Sequence, residues 1–584
     1  MQRRVFKRYI IFWIFVFSIL FISVLCFCES ERNREYYKNL TTEELLNSVI
    51  IGNESTSLNC IGLVKMDEGK YAAFLPNDMN ENTKIWFKSF KKLRLIHLNE
   101  YKSGDCIGEN YDNKSFQAEI VGWDDKICGN VELYFYHASG IPTVYIKTDN
   151  GSTEIIDNDK TIKERARILT VDVNGNMETA SFCEISTRGH SSFSQSQKPY
   201  NIDCKNAVNL LGMANGEKWS LIANYSDGMQ QVRNKFTYDI AQRFGLKYSP
   251  DSCFCNVYID GQYRGMYLMV RKNTIDDAYS FEMSSRYYDE LIHFPTAIGY
   301  PIVLENPDDF SDDEIVNCAL YVRDAVDVLA DNKSSDEEVE KFIDYDSWSR
   351  YYVMQGFATQ YDLEFDSFKF YKYRNAPLLY AGPVWDFDLA YGKQFFCNCP
   401  QLMQRTMWIM DDRDGWLSRL GKKSGFEERV KRNYLNEFLP IVKEYLEKEL
   451  TNIVSDNESS YYMNCYRWNR TREDYRKAAN DLRQWIIDRC EFLSDYVDNQ
   501  GKYCKVTFDF GEQELELYYR EISYYVRKGE KIGFLPLEEN GEYDERFGSI
   551  VGWKDESGNT YTTETVIDED IILYAVTEDV SDGK

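Results

Sequence analysis

Two aspartates stand two residues apart in an aromatic-rich segment bounded by glycine, GPVWDFDLAYG at 382–392. In an extended backbone, residues i and i+2 point to the same side, so the carboxylates of Asp386 and Asp388 would share one face. Two close carboxylates repel each other unless a cation lies between them, and a hard divalent ion suits them. The spacing therefore predicts metal ligands, with a loop that binds nothing as the alternative.

A third aspartate, Asp362, precedes Asp386 by 24 residues. It lies between a helix-like run, DSWSRYYVMQGFATQ, and a strand-like run, FKFYKY. In phosphoryl transfer, one carboxylate accepts the proton of the attacking hydroxyl while another holds the metal on the phosphates. Asp362 is therefore a candidate catalytic base. The alternatives are an exposed loop aspartate, or the same role for the nearby Glu364 or Asp366.

Small residues and hydroxyl groups are concentrated in STRGHSSFSQSQKPYNI, where Arg188 opens a short turn and Lys198 begins a β-like run. Small loops expose backbone N–H groups to phosphate, and a lysine on the following strand can neutralise its charge. The segment is not a Walker A sequence. We interpret it as a candidate phosphate-binding turn, in which His190 is as well explained as an ordinary loop histidine.

A helix is predicted just after the next candidate residues. VRNKFTYDIAQRFG places apolar side chains four residues apart over 232–244, and Gly245 suits the helix end. Asp227, upstream, is either an N-cap or a site residue. Arg233 and Asn234 are candidate partners for a phosphate or for an acidic side chain, and a solvated helix face is the alternative.

Periodicity along the chain predicts the units that position these residues. Short β-like runs separated by turn residues predict a small antiparallel sandwich over 57–165. A mostly β first half, with a hairpin turning at Asp260–Gly261, and a mostly helical second half predict a two-lobed α+β catalytic domain. The predicted units are a signal-anchor at 1–28, a linker at 29–56, a β-rich accessory domain at 57–165, the catalytic domain at 166–500 and a small β module at 503–584.

Composition limits the function classes. The chain has 584 residues, 43% of them hydrophobic, which excludes a mainly disordered chain, a collagen and a polytopic membrane protein. Its 95 acidic residues exceed its 68 basic ones, so we expect no nucleic-acid partner. Fifteen scattered cysteines predict no complete disulfide framework, and the CxC pairs 253–255 and 397–399 are weak zinc candidates.

The N-terminus predicts a membrane anchor. Residues 9–28 carry no charge over twenty positions, which is long enough to span a bilayer. Basic residues precede this run and acidic residues follow it, so the N-terminus is expected inside. Because no cleavage site is clear, a retained signal-anchor is favoured over a cleaved signal peptide. The rest of the chain is then expected to be extracytoplasmic, at the cell surface.

Together, the candidate segments resemble the spore-coat CotH kinase family of atypical kinases, which are related to those of the secretory pathway. The resemblance covers about residues 166–400 and is strongest over 185–272 and 345–392. The matching strings are RGHSS, KPYNI, LIANYSD, VRNKFTYDIA, YIDGQYRGMYL, QYD and GPVWDFDLAYG. The C-terminal unit resembles an internalin-type surface repeat with a small β-grasp-like fold.

The resemblance implies a two-lobed kinase-like fold that uses ATP and Mg²⁺ or Mn²⁺ to phosphorylate Ser or Thr hydroxyls of a protein. It makes Asp362 the catalytic aspartate and Asp386, with Asp388 near it, the metal-binding acid. Lys198 takes the role of the lysine on the nucleotide phosphates. The further candidate cofactor-binding residues are Arg188, Arg233 and Glu305, the last matching a recurring family acid.

Three departures from the family pattern bear on activity. Gln360 stands where the family usually has Asn, His190 where it often has Asn, and Arg271 where it usually has Glu. The last reverses a charge, so a catalytically weak or dead kinase-fold protein with an adhesion role is the main alternative. A different metal-dependent enzyme built on Asp386 and Asp388 is the third hypothesis.

Overall fold

The computed structural model describes residues 35–108, 114–138, 140–189, 191–225, 227, 231–284, 293–360, 363, 366–393, 405–408, 415–511, 521–535 and 550–577. The architecture is mixed α+β with several sheets, which confirms the predicted class. Within these ranges, none of the helices combines the length and apolarity needed to cross a bilayer. The anchor predicted at 9–28 lies outside them.

The first β region begins with helix α1 (Thr42–Leu46), which Thr41 and Glu44 cap reciprocally. Two sheets follow, in the orders β2-β1-β5-β8 and β3-β4-β10-β9-β6-β7, and they contribute to one apolar core. The strand β10 pairs in parallel with β4, which departs from the antiparallel sandwich predicted here. The strands are β1 Ile50–Gly52, β2 Ile61–Gly62, β3 Val64–Asp67, β4 Lys70–Leu75, β5 Lys84–Trp86, β6 Lys92–Leu95, β7 Glu100–Tyr101, β8 Asp105–Cys106, β9 Lys114–Val121 and β10 Ile127–His137.

A closed seven-stranded barrel follows, in the order β11-β12-β13-β14-β15-β17-β16, and the parallel pair β11–β16 closes it. Trp219 and Tyr200 fill its interior. A disulfide joins Cys183 to Cys204, which face each other on β13 and β14. The elements are β11 Thr143–Thr148, α2 Glu154–Asn158, β12 Glu164–Val171, β13 Met177–Thr187, β14 Tyr200–Val208, β15 Gly216–Ile222, α3 Arg233–Arg243, β16 Asp251–Ile259 and β17 Gln262–Arg271.

The barrel tests three predictions. Helix α3 is confirmed, and Phe236 and Ile240 lie in the core as the four-residue step requires. The hairpin is also confirmed, because Ile259 pairs with Gln262 across the predicted turn. The barrel includes β11, which falls inside the unit predicted at 57–165. That unit therefore contributes a strand to the barrel formed by the following residues. The remaining unit boundaries stay predictions.

A five-stranded sheet in the order β19-β20-β18-β21-β22 and a layer of helices form the second half of the catalytic region. Sheet and helices share one core with α3. The strands are β18 Ala278–Met283, β19 His293–Phe294, β20 Ile302–Leu304, β21 Phe368–Tyr373 and β22 Tyr380–Ala381. The helices are α4 Asp312–Ala330, α5 Asp336–Val339, α6 Tyr345–Ala358, α7 Trp416–Gly421, α8 Ser424–Asn433, α9 Leu439–Lys448, α10 Leu450–Arg467 and α11 Tyr475–Asn499, with one π turn, Tyr434–Phe438, between α8 and α9.

The C-terminal strands form a five-stranded sheet in the order β24-β23-β29-β26-β27 and a two-stranded pair, β25-β28. The central strands β23 and β29 run parallel. Tyr525 packs on Tyr496 of α11, so this unit docks on the helical layer. The strands are β23 Tyr503–Asp509, β24 Glu521–Arg527, β25 Glu530–Lys531, β26 Ile550–Lys554, β27 Thr560–Tyr561, β28 Val566–Ile567 and β29 Ile571–Thr577.

Candidate active site

A cavity of about 660 Å³ lies where the ends of β13, β15 and β17 meet the sheet β18–β22. Residues that follow β22 complete its wall. Arg188, Glu305, Asp386 and Asp388, which were singled out in the sequence, reach it, and so does Asp366, an alternative candidate for the catalytic base. Separate parts of the chain, from the barrel and from the sheet, therefore meet around one space.

Strand alternation produces a polar floor. On β18, Ser280 and Glu282 line the cavity while Tyr279 and Phe281 pack into the core on the other face. Because successive side chains of a strand point to opposite faces, one short sequence serves both the core and the site. The cavity face of this sheet consequently carries hydroxyl and carboxyl groups.

Lys369 lies on the floor between two carboxylates. It is the direct cross-strand partner of Glu282, and its Nζ lies 2.7 Å from that carboxylate and 2.5 Å from Glu305. Burial alone would lower the pKa of Lys369, but the two carboxylates outweigh it and raise the pKa above its ordinary value. The lysine is therefore permanently charged. Glu305, a predicted cofactor residue, is one of its two partners.

Two further cations, Arg188 and Lys272, face the cavity. In the described part of the chain, neither Arg188 nor Lys272 makes a side-chain hydrogen bond or ion pair; Arg188 lies over the Trp385 ring at 5.4 Å. Burial, together with the nearby charges of Arg188 and Lys369, lowers the pKa of Lys272 to about 8. Four cations and five carboxylates line the cavity, so its charge is mixed. Arg188 and Lys272 form the positive side, which suits an anionic ligand.

Arg271, the charge-reversed departure, does not line this cavity. Its side chain lies against Gly216, where an added Cβ would stand 2.8 Å from Arg271 Cγ. The next residue, Lys272, continues the strand pairing through its N–H, which donates to the Lys218 carbonyl at 2.9 Å. Strand alternation thus turns Lys272 to the cavity and Arg271 to the opposite face.

The turn after β13 lines the cavity through Gly189, Ser191 and Ser192. Gly189 has a φ of 91°, and a Cβ added there would stand 2.0 Å from Ser192 Oγ, so the turn requires glycine. Lys198 lies elsewhere: its ammonium donates to the Phe193 carbonyl and sits 4.7 Å from the Phe193 ring centre. His190 lies outside the described residues.

Asp386 and Asp388 both line one edge of the cavity, although the backbone at Asp386 is not the extended one from which their shared face was predicted. Asp386 has a φ of 63°, in the left-handed region, and the Gln360 side-chain amide donates to its carbonyl at 2.6 Å. Burial raises the pKa of Asp386, and Arg188 and a hydrogen bond shared with Asp388 partly offset this effect. The two carboxylates therefore lie in mutual contact on the wall of the cavity.

Arg233 is placed behind the site instead of in it. Its backbone N–H donates to Asp227 at 3.0 Å, its guanidinium forms an ion pair with the same carboxylate, and its Nε donates to the Ala390 carbonyl at 2.7 Å. Both side chains are buried. Of the two partners predicted for Arg233, the structure shows the acidic side chain. Asp227 accepts from the first N–H of α3 but is not its N-cap residue, which is Val232.

The family model for the CotH kinase protein matches residues 185–493, more than half of the chain. The chain belongs to the CotH kinase family. No curated protein matches the sequence. Among solved structures, the Helicobacter pylori proinflammatory kinase CtkA is similar at a TM-score of 0.27 and 12% identity, over 52% of this chain and 95% of that one. A likeness of that size carries no argument here.

CotH family membership implies a nucleotide and a divalent metal, and the acidic edge of the cavity fits such an ion. Within the described ranges, no three His, Cys, Asp or Glu side chains form a closed metal cluster. Mg²⁺ does not require one, because it commonly binds one or two carboxylates together with substrate phosphates and water. Asp386 and Asp388 would hold it. Asp362 falls outside the described residues.

The CxC pairs gain no support as zinc sites. Cys255 is buried inside the barrel and Cys253 is half-buried on the same strand. Burial raises the pKa of the Cys253 thiol to about 11 and that of Cys255 well above its ordinary value, whereas zinc binds the thiolate. Cys397 and Cys399 lie outside the described residues.

Three residues of the CotH kinase site were not singled out from the sequence: Lys272, Glu282 and Lys369. Lys272 belongs to the string MVRK, in which only the preceding arginine drew attention. Lys369 and Glu282 sit in ordinary alternating strands, FKFYKY and AYSFEM. A charged residue at an alternate position of an aromatic strand was the available signal, and their pairing depends on the β18–β21 register.

Proposed function

We propose that this protein transfers the γ-phosphate of ATP to a Ser or Thr hydroxyl of a protein, in a reaction that depends on Mg²⁺ or Mn²⁺. The observation that carries the proposal is the cavity itself. Two cations, Arg188 and Lys272, share it with a pair of neighbouring carboxylates, Asp386 and Asp388. Nucleotide phosphates and a divalent ion together satisfy both groups.

The cavity offers different surroundings to the two ends of a nucleotide. Ile222, Ile275 and Val303 supply apolar surface suited to the flat base. Lys272, Arg188 and the Gly189 turn supply the positive charge and small size suited to phosphates. In this arrangement Lys272, which lines the cavity, takes the role of the phosphate lysine in place of Lys198, which does not, while Lys369 holds Glu282 and Glu305 in place.

The transfer step forms one bond and breaks one. The acceptor oxygen bonds to the γ-phosphorus as the bond to the β–γ bridging oxygen breaks, and ADP leaves. The hydroxyl proton passes to a carboxylate, a role we assign to Asp362 from the family pattern. A bound divalent ion would supply charge neutralisation on the phosphates. Asp386 and Asp388 would keep that ion beside the cavity.

We further propose an extracytoplasmic, membrane-anchored protein that acts on a Ser- or Thr-containing protein and not on nucleic acid. The uncharged run 9–28 supports the anchor and the net charge of -27 disfavours nucleic acid. Both statements rest on the sequence.

Labelling tests the proposal directly. The full chain in detergent is incubated with γ-labelled ATP and Mg²⁺ or Mn²⁺, with and without a Ser/Thr-rich protein, beside Asp362→Asn and the surface control Asp308→Asn. We expect label on protein with the wild type and the control, and none with Asp362→Asn. No label with any metal overturns the kinase proposal; wild-type rates in Asp362→Asn overturn the base assignment.

One observation favours the second candidate, a kinase-fold binding protein without transfer. The lysine that the resemblance assigns to the phosphates, Lys198, donates to the Phe193 carbonyl and does not line the cavity. That candidate predicts nucleotide binding without label on any acceptor. The same incubation, followed by measurement of retained nucleotide, separates the two.

A further inference from the structure

The first turn of α3 holds the segment that carries the candidate metal ligands. Asn234 is fully buried, and its Oδ1 accepts from the Phe387 N–H at 2.7 Å. Arg233 donates to the Ala390 carbonyl, and the Thr237 and Tyr391 hydroxyls lie 2.7 Å apart. One helix therefore contacts this segment at three successive points.

The contact of Asn234 is placed differently from the other two. The Phe387 N–H and the Asp386 carbonyl belong to the same peptide group, which is planar. Asn234 binds its N–H, and the Gln360 amide donates to its carbonyl at 2.6 Å. The buried amide side chains of Asn234 and Gln360 thus form hydrogen bonds with both polar groups of one peptide.

This plane lies between the two candidate ligands. Its orientation sets ψ of Asp386 and φ of Phe387, and hence the directions in which the carboxylates of Asp386 and Asp388 point. Asp386 adopts a φ of 63°, a region that non-glycine residues keep only when their surroundings enforce it. Without these two hydrogen bonds, the segment would relax to more common backbone φ and ψ angles, and the two carboxylates would separate.

The other end of the Asn234 side chain reaches the cavity wall. Its Nδ2 donates to Asn224 Oδ1 at 3.2 Å, and Asn224 lines the cavity. We propose that Asn234 is a positioning residue: it clamps the 386–387 peptide and thereby aims Asp386 and Asp388 at a divalent cation. This inference rests on the proposed function. It assigns Asn234 no contact with substrate.

A matched variant separates positioning from simple packing. Thr237→Val removes a buried hydrogen bond between the same helix and the same segment, but at Tyr391, away from the peptide between the carboxylates. Asn234→Ala removes the bond at that peptide. Each side chain makes two buried hydrogen bonds, one of them to the 382–392 segment, so a purely structural role predicts metal affinity unchanged in both variants.

The test titrates Mn²⁺ into the full-length variants at a fixed ATP concentration and measures bound nucleotide. Outer-shell partners typically change metal affinity by about 10–100-fold, and we expect Asn234→Ala to raise the half-saturating Mn²⁺ concentration by this factor. Thr237→Val should match the wild type. Equal midpoints in the two variants overturn the inference.

A second readout needs no metal. Amide hydrogen exchange at Phe387 should accelerate in Asn234→Ala and not in Thr237→Val. If the wild type binds no nucleotide at any metal concentration, the proposed function fails, and the exchange measurement still judges the clamp. Unchanged Phe387 exchange in Asn234→Ala overturns it; faster exchange supports it.

Discussion

Arg233 and Lys272 both carry positive charge close to the candidate site, but their surroundings differ. The guanidinium of Arg233 is buried and saturated by Asp227 and by the Ala390 carbonyl. The ammonium of Lys272 faces the cavity beside two other cations, and its pKa is lowered to about 8. A buried charge paired within the protein stabilises the fold, whereas a charged side chain that faces a cavity and forms no ion pair is available to a ligand.

Breaking the buried ion pair between Arg233 and Asp227 should have the largest effect of these changes, and the effect should be a loss of stability. Replacing one partner of a buried ion pair typically costs about 3–5 kcal/mol, because the other charge is left buried and unpaired. We expect Arg233→Met to lower the free energy of unfolding by that amount in denaturant titrations. Arg243 lies on the same helix as Arg233 and forms an exposed ion pair with Glu449. Arg243→Met should therefore cost under about 1 kcal/mol. Equal losses would contradict the contrast.

Removing the charge of Lys272 should weaken ATP binding and leave the fold intact. We expect Lys272→Met to weaken ATP binding by about tenfold, or about 1.4 kcal/mol, because one phosphate contact is lost. Its unfolding free energy should not fall, since the change relieves repulsion from Arg188 and Lys369. Lys198→Met, away from the cavity, serves as the control. A larger loss of affinity in Lys198→Met would restore the phosphate role to Lys198.

The lowered pKa of Lys272 predicts a pH dependence of binding. A phosphate binds the protonated amine, so binding raises its pKa and affinity is full below about pH 8. Above that pH the free amine is neutral, and affinity should fall by about tenfold in total, as in Lys272→Met. Calorimetry between pH 7 and 9.5 measures this slope. Lys272→Arg should flatten it, because arginine stays charged; an unchanged slope would exclude Lys272 as its source.

The smallest effect is expected at Arg271, the charge-reversed departure. Because its side chain lies against Gly216 and not in the cavity, Arg271→Ala should change ATP affinity by no more than about twofold. Titration of this variant beside Lys272→Met compares two neighbouring residues on opposite faces of one strand. A loss as large as that of Lys272→Met would mean that Arg271 does reach the nucleotide.

The sequence was sufficient for the features that depend on local pattern. Helix α3 followed from its four-residue apolar step, the hairpin from Asp260–Gly261, and the convergence of Arg188 with Asp386 and Asp388 from the family motifs. The role of Arg233 could not be settled locally, because its partners include Ala390, 157 residues away.

The cavity lysines escaped prediction for a related reason. Lys369 forms its ion pair with Glu282, which is 87 residues away and becomes its neighbour only through the β18–β21 register. Lys198 had the right position relative to the glycine turn in sequence, yet its own turn folds back and supplies the Phe193 carbonyl as its acceptor. Residue type alone therefore does not decide which lysine faces the cavity: Lys369 depends on a long-range strand pairing and Lys198 on the folding of a local turn.

The most direct measurement of the central claim is calorimetric titration of the full-length chain with ATP, with and without Mg²⁺. The account predicts metal-dependent binding in the wild type and in Asp308→Ala, and no detectable binding in Asp386→Ala, which loses one of two carboxylate ligands. Unchanged, metal-dependent affinity in Asp386→Ala, or no binding in the wild type, would contradict it.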